Sequence, residues 1–162
     1  MTRLATARCV LRPVTDADAP ALHRQWNHPE VGRYLWDRRP VSPEQVAEVL
    51  RESHAAFAET GWGLWAVCVG DALVGCCGLR VSRQGDGIEL LYALDRAAWG
   101  RGYALEAARA VLDHATATLG LPRVVAAANP ANQASWRILE RLGMRRTGAM
   151  RTEIEDLWLY ST

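Results

Sequence analysis

Apolar residues recur along this chain at two periods, and the switches between them divide it into elements. Cys9-Val10-Leu11-Arg12 is a short apolar run stopped by Pro13 and reads as a first strand. Thr15 then stands before Asp16 and Asp18 as a helix cap with acids in the first turn. Ala19, Leu22 and Trp26 follow at steps of three and four, one stripe of a helix. Residues 27–41 lose the pattern and carry Tyr34, Trp36 and Arg38-Arg39-Pro40, a long predicted loop whose aromatic and basic side chains hint at ligand contact. Ser42-Pro43-Glu44-Gln45 is a helix start, with a capping serine, proline at the first helical position and glutamine three residues after the cap. Val46, Val49, Leu50, Ser53 and Phe57 supply the buried stripe of that helix, and Gly61 ends the approach to the next element.

The period then changes to that of strands. Residues 62–69 and 73–81 flank Gly70-Asp71, a hairpin turn signal, and Gln84-Gly85-Asp86-Gly87 marks a second turn. Residues 88–94 are apolar on both faces, as in a central strand covered on each side; Glu89 is the exception. Leu105, Ala108, Leu112, Ala115 and Leu119 predict a helix over 105–119, closed by Gly120 and Pro122. Residues 123–128 read as a buried strand broken by Asn129-Pro130. Residues 132–142 read as a short helix on which Ser135 shares a face with Ile138, Leu139 and Leu142, so its hydroxyl needs a partner. Strands are predicted over 144–147 and 156–161. The order predicts one α+β domain over 1–162: a mixed, mostly antiparallel sheet of about seven strands flanked by about four helices, without the strict alternation of a doubly wound fold.

At 162 residues, the chain fits one domain with a proper core. A net charge of +1 gives no electrostatic reason for nucleic acid or membrane as main partner. Every basic residue in the Lys+Arg total is arginine, which removes a P-loop lysine or a Schiff-base lysine. Cys9, Cys68, Cys76 and Cys77 lie in strand-like runs, without C-x-x-C spacing or a histidine at zinc spacing. They read as buried free thiols in a reducing, cytoplasmic compartment, with no metal site. No signal-peptide core or membrane-length apolar run is visible.

The stretch with the most chemistry is Trp99-Gly100-Arg101-Gly102-Tyr103-Ala104, two glycines where a strand gives way to a helix. Free N–H groups and the positive end of a helix dipole meet there, which suits a pyrophosphate. A P-loop is excluded by the missing lysine. A Rossmann fingerprint would need Gly or Ala at 105, which is Leu105, and an acid for a ribose in the following strand, which has none.

The same stretch resembles the coenzyme A motif of the GNAT N-acetyltransferase superfamily. Trp99 with Glu106-Ala107 resembles the branch holding the ribosomal-protein N-terminal acetyltransferases. Asn132-x-x-Ser135-x-x-x-Leu139-Glu140-Arg141-Leu142-Gly143-Met144 is similar to that branch's closing helix, and Arg8 to Pro13 with Asp16-Ala17-Asp18-Ala19 to its opening strand and helix. The resemblance implies acetyl-CoA as co-substrate, with the main chain of Tyr92, Ala93 and Leu94 holding pantetheine, residues Trp99, Gly100, Arg101, Gly102, Tyr103 and Ala104 the pyrophosphate, and Asn132 and Ser135 further cofactor contacts. It also implies a homodimer. The acceptor would be a small-molecule amine or a protein N-terminus, with Trp26, Tyr34, Trp36 and Glu89 as candidate contacts. Glu89, the carboxylate inside an apolar strand, is the candidate base; the alternative is an ion pair with Arg80 or Arg12. Many superfamily members place a tyrosine where this chain has Leu139, so Ser135, one turn earlier, is the candidate acid. The departure at Leu139 also leaves open a non-catalytic acyl-CoA-binding module.

Overall fold

A computed structural model describes residues 2–162. Eight strands form one sheet in the order β1-β2-β3-β4-β5-β6-β8-β7. They are β1 (Leu4–Ala5), β2 (Val10–Pro13), β3 (Leu64–Val69), β4 (Ala72–Val81), β5 (Ile88–Leu94), β6 (Val124–Ala128), β7 (Arg145–Arg151) and β8 (Asp156–Ser161). The helices are α1 (Ala19–Trp26), α2 (Pro43–Thr60), α3 (Tyr103–Asp113) and α4 (Gln133–Arg141). The eighth strand, beyond the seven expected, is β1: Leu4 and Ala5 pair with Leu11 and Val10, a ladder too short to show alternation.

Period-two alternation sorts the central strands between two cores. Leu64, Ala66 and Cys76 face α1 and α2, where Val14, Leu22, Trp26, Val46 and Leu50 close over them. Trp65, Val67, Cys77, Leu79 and Leu90 face α3, against Ala107, Ala108 and Val111. Adjacent Cys76 and Cys77 thus lie on opposite faces, and all four cysteines are free. Burial pushes the Cys76 thiol up to about 12, so it behaves as a core residue. The Ser42 cap forms as read, its Oγ accepting from Gln45 N at 3.1 Å while Gln45 Oε1 accepts from Ser42 N at 2.8 Å. The helix expected over 105–119 starts earlier, at Tyr103, and its last stretch, His114–Thr118, is a π turn in which Leu119 N donates to His114 O at 3.0 Å.

One irregularity positions everything that follows. All neighbouring strands are antiparallel except β5 and β6, which pair in parallel only at Ile88 with Val124 and Glu89 with Val125. From Leu90 onward β5 has no partner on that side among the described residues. The sheet therefore opens into a V, with β5 as one arm and β6 as the other.

Candidate active site

The V ends at the glycine loop. Asp95 Oδ1 accepts from Ala97 N at 3.2 Å and starts a short 3-10 turn, and Trp99 Nε1 donates to Leu94 O at 3.0 Å, folding the chain back over the end of β5. Gly100 and Gly102 then stand at φ 75° and 80°, a region L-residues seldom enter. Gly102 is the N-cap of α3, so the N–H groups of the first turn, from Tyr103, have no helical partner. A Cβ built on Gly100 meets nothing within 4 Å, so the space beside the loop is open. Open space, unpartnered N–H groups and the helix dipole fit a pyrophosphate.

Across the V, Asn132 caps α4 through its Oδ1, 3.4 Å from Ser135 N, and no described residue accepts from its Nδ2. The partner that Ser135 needs is Tyr92 on β5: the phenol O–H donates to Ser135 O at 2.9 Å and lies 3.2 Å from Ser135 Oγ. Burial pushes the Tyr92 hydroxyl well above the usual phenol value, against the opposing pull of its bond to Ser135. This contact joins the two arms on the α3–α4 face. The sequence offered Tyr92 only for its main chain; its hydroxyl escaped notice because nothing local pairs residues 92 and 135. Leu139 is 1% exposed and lies in the core.

Glu89 sits where the V closes. It is buried, and Oε2 accepts from Arg80 Nε at 2.7 Å across the β4–β5 ladder. Of the partners weighed for it, Arg80 is the one in place; Arg12 instead grips Asp18 with both Nη atoms at 2.7 Å. No described residue donates to Glu89 Oε1.

The other wall comes from residues 27–41 and the β7–β8 hairpin. Asn27 closes the loop base, Oδ1 accepting from Val41 N and Nδ2 donating to Val41 O, both at 2.9 Å. Glu30 pairs with Arg96 at 2.8 Å, beyond β5, and Arg38 approaches Glu155 at 3.9 Å, before β8. The loop thus reaches both arms. Between these anchors Trp36, Asp37 and Arg38 all have left-handed φ, from 51° to 62°, at roughly 1–2 kcal/mol per residue. Trp26, a candidate contact, is 5% exposed in the core, with the Trp36 ring tilted against it at 45° and 5.4 Å between centroids; Trp36 and Tyr34 are the partly exposed aromatics here. A cavity of ≈ 350 Å³ lies beside this wall, lined by Arg38, Asn129 and Glu155 among others. The Glu155 side chain is only 16% exposed, and its Oε2 accepts from Asn129 Nδ2 at 2.7 Å.

Residues 8–145 match the acetyltransferase (GNAT) domain family. The chain belongs to that family. It is 29% identical over 154 residues, 93% of this chain and 86% of the other, to a Bacillus licheniformis protein named uncharacterized N-acetyltransferase p20. An acetyltransferase crystal structure from Agrobacterium tumefaciens superposes with a TM-score of 0.86 at 30% identity, over 100% of this chain and 94% of that one. The RimL ribosomal L7/L12 α-N-protein acetyltransferase, solved with coenzyme A, shares the fold at TM-score 0.84 and 17% identity, covering 99% and 97% of the two chains. This chain is therefore an acetyltransferase with a GNAT fold. Among the described residues no group of three or more His, Cys, Asp or Glu could hold a metal ion, and no helix is long and apolar enough to cross a membrane.

Proposed function

We propose that this acetyltransferase moves an acetyl group from acetyl-CoA to a primary amine, a protein N-terminal α-amino group or a small-molecule amine, by direct attack in a ternary complex. The observation that carries the reading is the V between β5 and β6, open from Leu90 and leading to a loop with two left-handed glycines at a helix N-terminus. The unpaired edge of β5 at Tyr92, Ala93 and Leu94 would take the pantetheine amides as an added half-strand. The N–H groups from Gly100 to Ala104 would take the pyrophosphate, with Asn132 reaching from the opposite arm. Acetyl-CoA supplies an activated thioester; the chain's residues orient it and manage protons.

An amine must lose its proton to attack, and model α-amino groups hold theirs to a pKa of about 7.7–8.0 and lysine amines to about 10.4. Glu89 is the proposed base, directly or through water: Arg80 occupies Oε2, and Oε1 is left for the acceptor. Ser135, which Tyr92 contacts, would give a proton to the departing sulfur, and a main-chain N–H near Leu91 or Tyr92 would meet the oxyanion. The acceptor would enter between residues 27–41 and the β7–β8 hairpin. Four free cysteines support a reducing, cytoplasmic setting.

Thiol release from acetyl-CoA against a panel of free-N-terminal peptides, polyamines and small amines tests the reading. Release that depends on one class of amine is expected. Tight coenzyme A binding with no release for any amine would leave a binding module and overturn the transferase mechanism.

A further inference from the structure

The peptide unit between Arg101 and Gly102 is held from outside its own loop. Arg101 O accepts from Arg8 Nη1 at 2.8 Å. A trans peptide is planar, so its C=O and the following N–H point in opposite directions. Fixing Arg101 O on the Arg8 side therefore fixes Gly102 N–H on the other. The anchor matters here because the unit hinges on Gly102, at φ 80°, which rotates at little steric cost. Unanchored, the peptide can turn over and present a carbonyl oxygen to an anion.

Arg8 lies in the turn between β1 and β2, and its other contacts are in the first turn of α3. Nε donates to Glu106 Oε2 at 2.7 Å, the main-chain N donates to Glu106 Oε1 at 2.7 Å, and the guanidinium carbon stands 4.7 Å from the Tyr103 ring centroid. Thr6 Oγ1 also donates to Glu106 Oε1, at 2.5 Å. The carboxylate beside the cradle would repel a phosphate; the guanidinium on it cancels that charge.

We propose that Arg8 is a positioning residue for the cofactor's pyrophosphate, holding the Arg101–Gly102 peptide with its N–H turned into the cradle and neutralising Glu106 beside it. The proposal rests on the coenzyme A reading above, and the remote hairpin β1–β2 becomes part of the cofactor site.

Calorimetric affinities of the full chain for coenzyme A and for pantetheine, which lacks the pyrophosphate, test it. Arg8→Ala is expected to weaken coenzyme A about tenfold or more and pantetheine less than twofold, raising the acetyl-CoA KM with kcat changed less than twofold. Arg8→Lys is expected to recover only part, since one ammonium cannot serve the carbonyl and the carboxylate in the geometry of the fork. Arg8→Ala with Glu106→Gln removes the repulsion but not the lost orientation, so its coenzyme A affinity falls between Arg8→Ala and the parent. Unchanged coenzyme A affinity in both Arg8→Ala and Arg8→Lys overturns the proposal. So does equal loss of coenzyme A and pantetheine, which would make Arg8 a general support of the fold. A parent chain that binds no coenzyme A overturns the cofactor reading itself.

Discussion

The two walls of the V are built by different means. On the cofactor side most ties are local, each a side chain bonded to nearby main chain: Trp99 to Leu94, Asp95 to Ala97, Asn132 to Ser135, with φ values at Gly100 and Gly102 setting the curve. Arg8 to Arg101 and Tyr92 to Ser135 are the long-range exceptions. On the acceptor side the ties are side-chain contacts between segments far apart in the chain: Asn27 to Val41, Glu30 to Arg96, Arg38 and Asn129 to Glu155. A wall of main-chain donors recognises any ligand with the right phosphate and amide spacing and tolerates most changes of side chain. A wall of side chains recognises what those particular side chains can pair with. On the proposed reading, the same fold would keep one cofactor and change its acceptor by altering residues 27–41 and the β7–β8 hairpin alone.

The comparison breaks first where main-chain geometry is most demanding. Gly102→Val places a β-branched residue at φ 80°, with a Cβ 3.2 Å from Arg8 Nη2. Strain of about 1–2 kcal/mol for any L-residue, more for valine, is relieved only by reshaping the loop and displacing Arg8. Coenzyme A affinity is expected to fall at least about 100-fold by calorimetry, which is about 2.7 kcal/mol, with the fold retained in thermal melts. Ordinary coenzyme A binding by this variant would move the cradle away from the loop.

The same contrast decides what could be read from the sequence. Ser42 to Gln45, the Gly70-Asp71 turn and the opposite faces of Cys76 and Cys77 are local or strictly periodic signals, and each is realised. The glycine loop is legible because glycine marks a left-handed backbone. The left-handed run at Trp36, Asp37 and Arg38 carries no glycine, so nothing in the residue types announces it. The π turn at His114–Thr118 hides inside a helical apolar stripe, since so short a stretch of i→i+5 bonding barely disturbs the periodicity. Tyr92 with Ser135 and Asn129 with Glu155 are meetings that only the topology of the V creates.

Glu89 lies at the base where both walls begin, so its substitution separates chemistry from binding. Glu89→Gln keeps the size of the side chain and a hydrogen-bonding oxygen for Arg80, whose own side chain is 41% exposed and can be solvated. The expected result is a kcat lower by about 10²-fold, within the usual range for loss of a general base, with coenzyme A affinity changed less than threefold. Parallel loss of affinity, kcat and thermal stability would assign the residue to the β4–β5 ladder instead.

The smallest expected effect lies behind the cofactor wall, at the C-terminal end of α3. His114 is 7% exposed, stands edge-on to Trp65 at 5.8 Å, and its Nε2 has no hydrogen-bond partner. Burial pushes its imidazole below the usual value. In the unfolded chain it takes up a proton near pH 6.5; in the folded chain it does so only at lower pH. The unfolded state therefore binds more protons as pH falls through 6.5, and folding stability declines across that window until the folded imidazole also titrates. The groove it lines also holds Glu106, Asp113, Arg3 and Arg109. Glu106 and the Arg12-paired Asp18 both have carboxyls held below their usual values, so their contribution is lost only under more acid conditions. Denaturant midpoints are expected to drop between pH 7 and 5 in the parent and to flatten in His114→Phe, which keeps an aromatic ring against Trp65 and removes a polar nitrogen that has no partner to lose. Hydrogen exchange should show the acid loosening in α3 before the β7–β8 hairpin. An equal slope in parent and variant would place the acid sensitivity elsewhere.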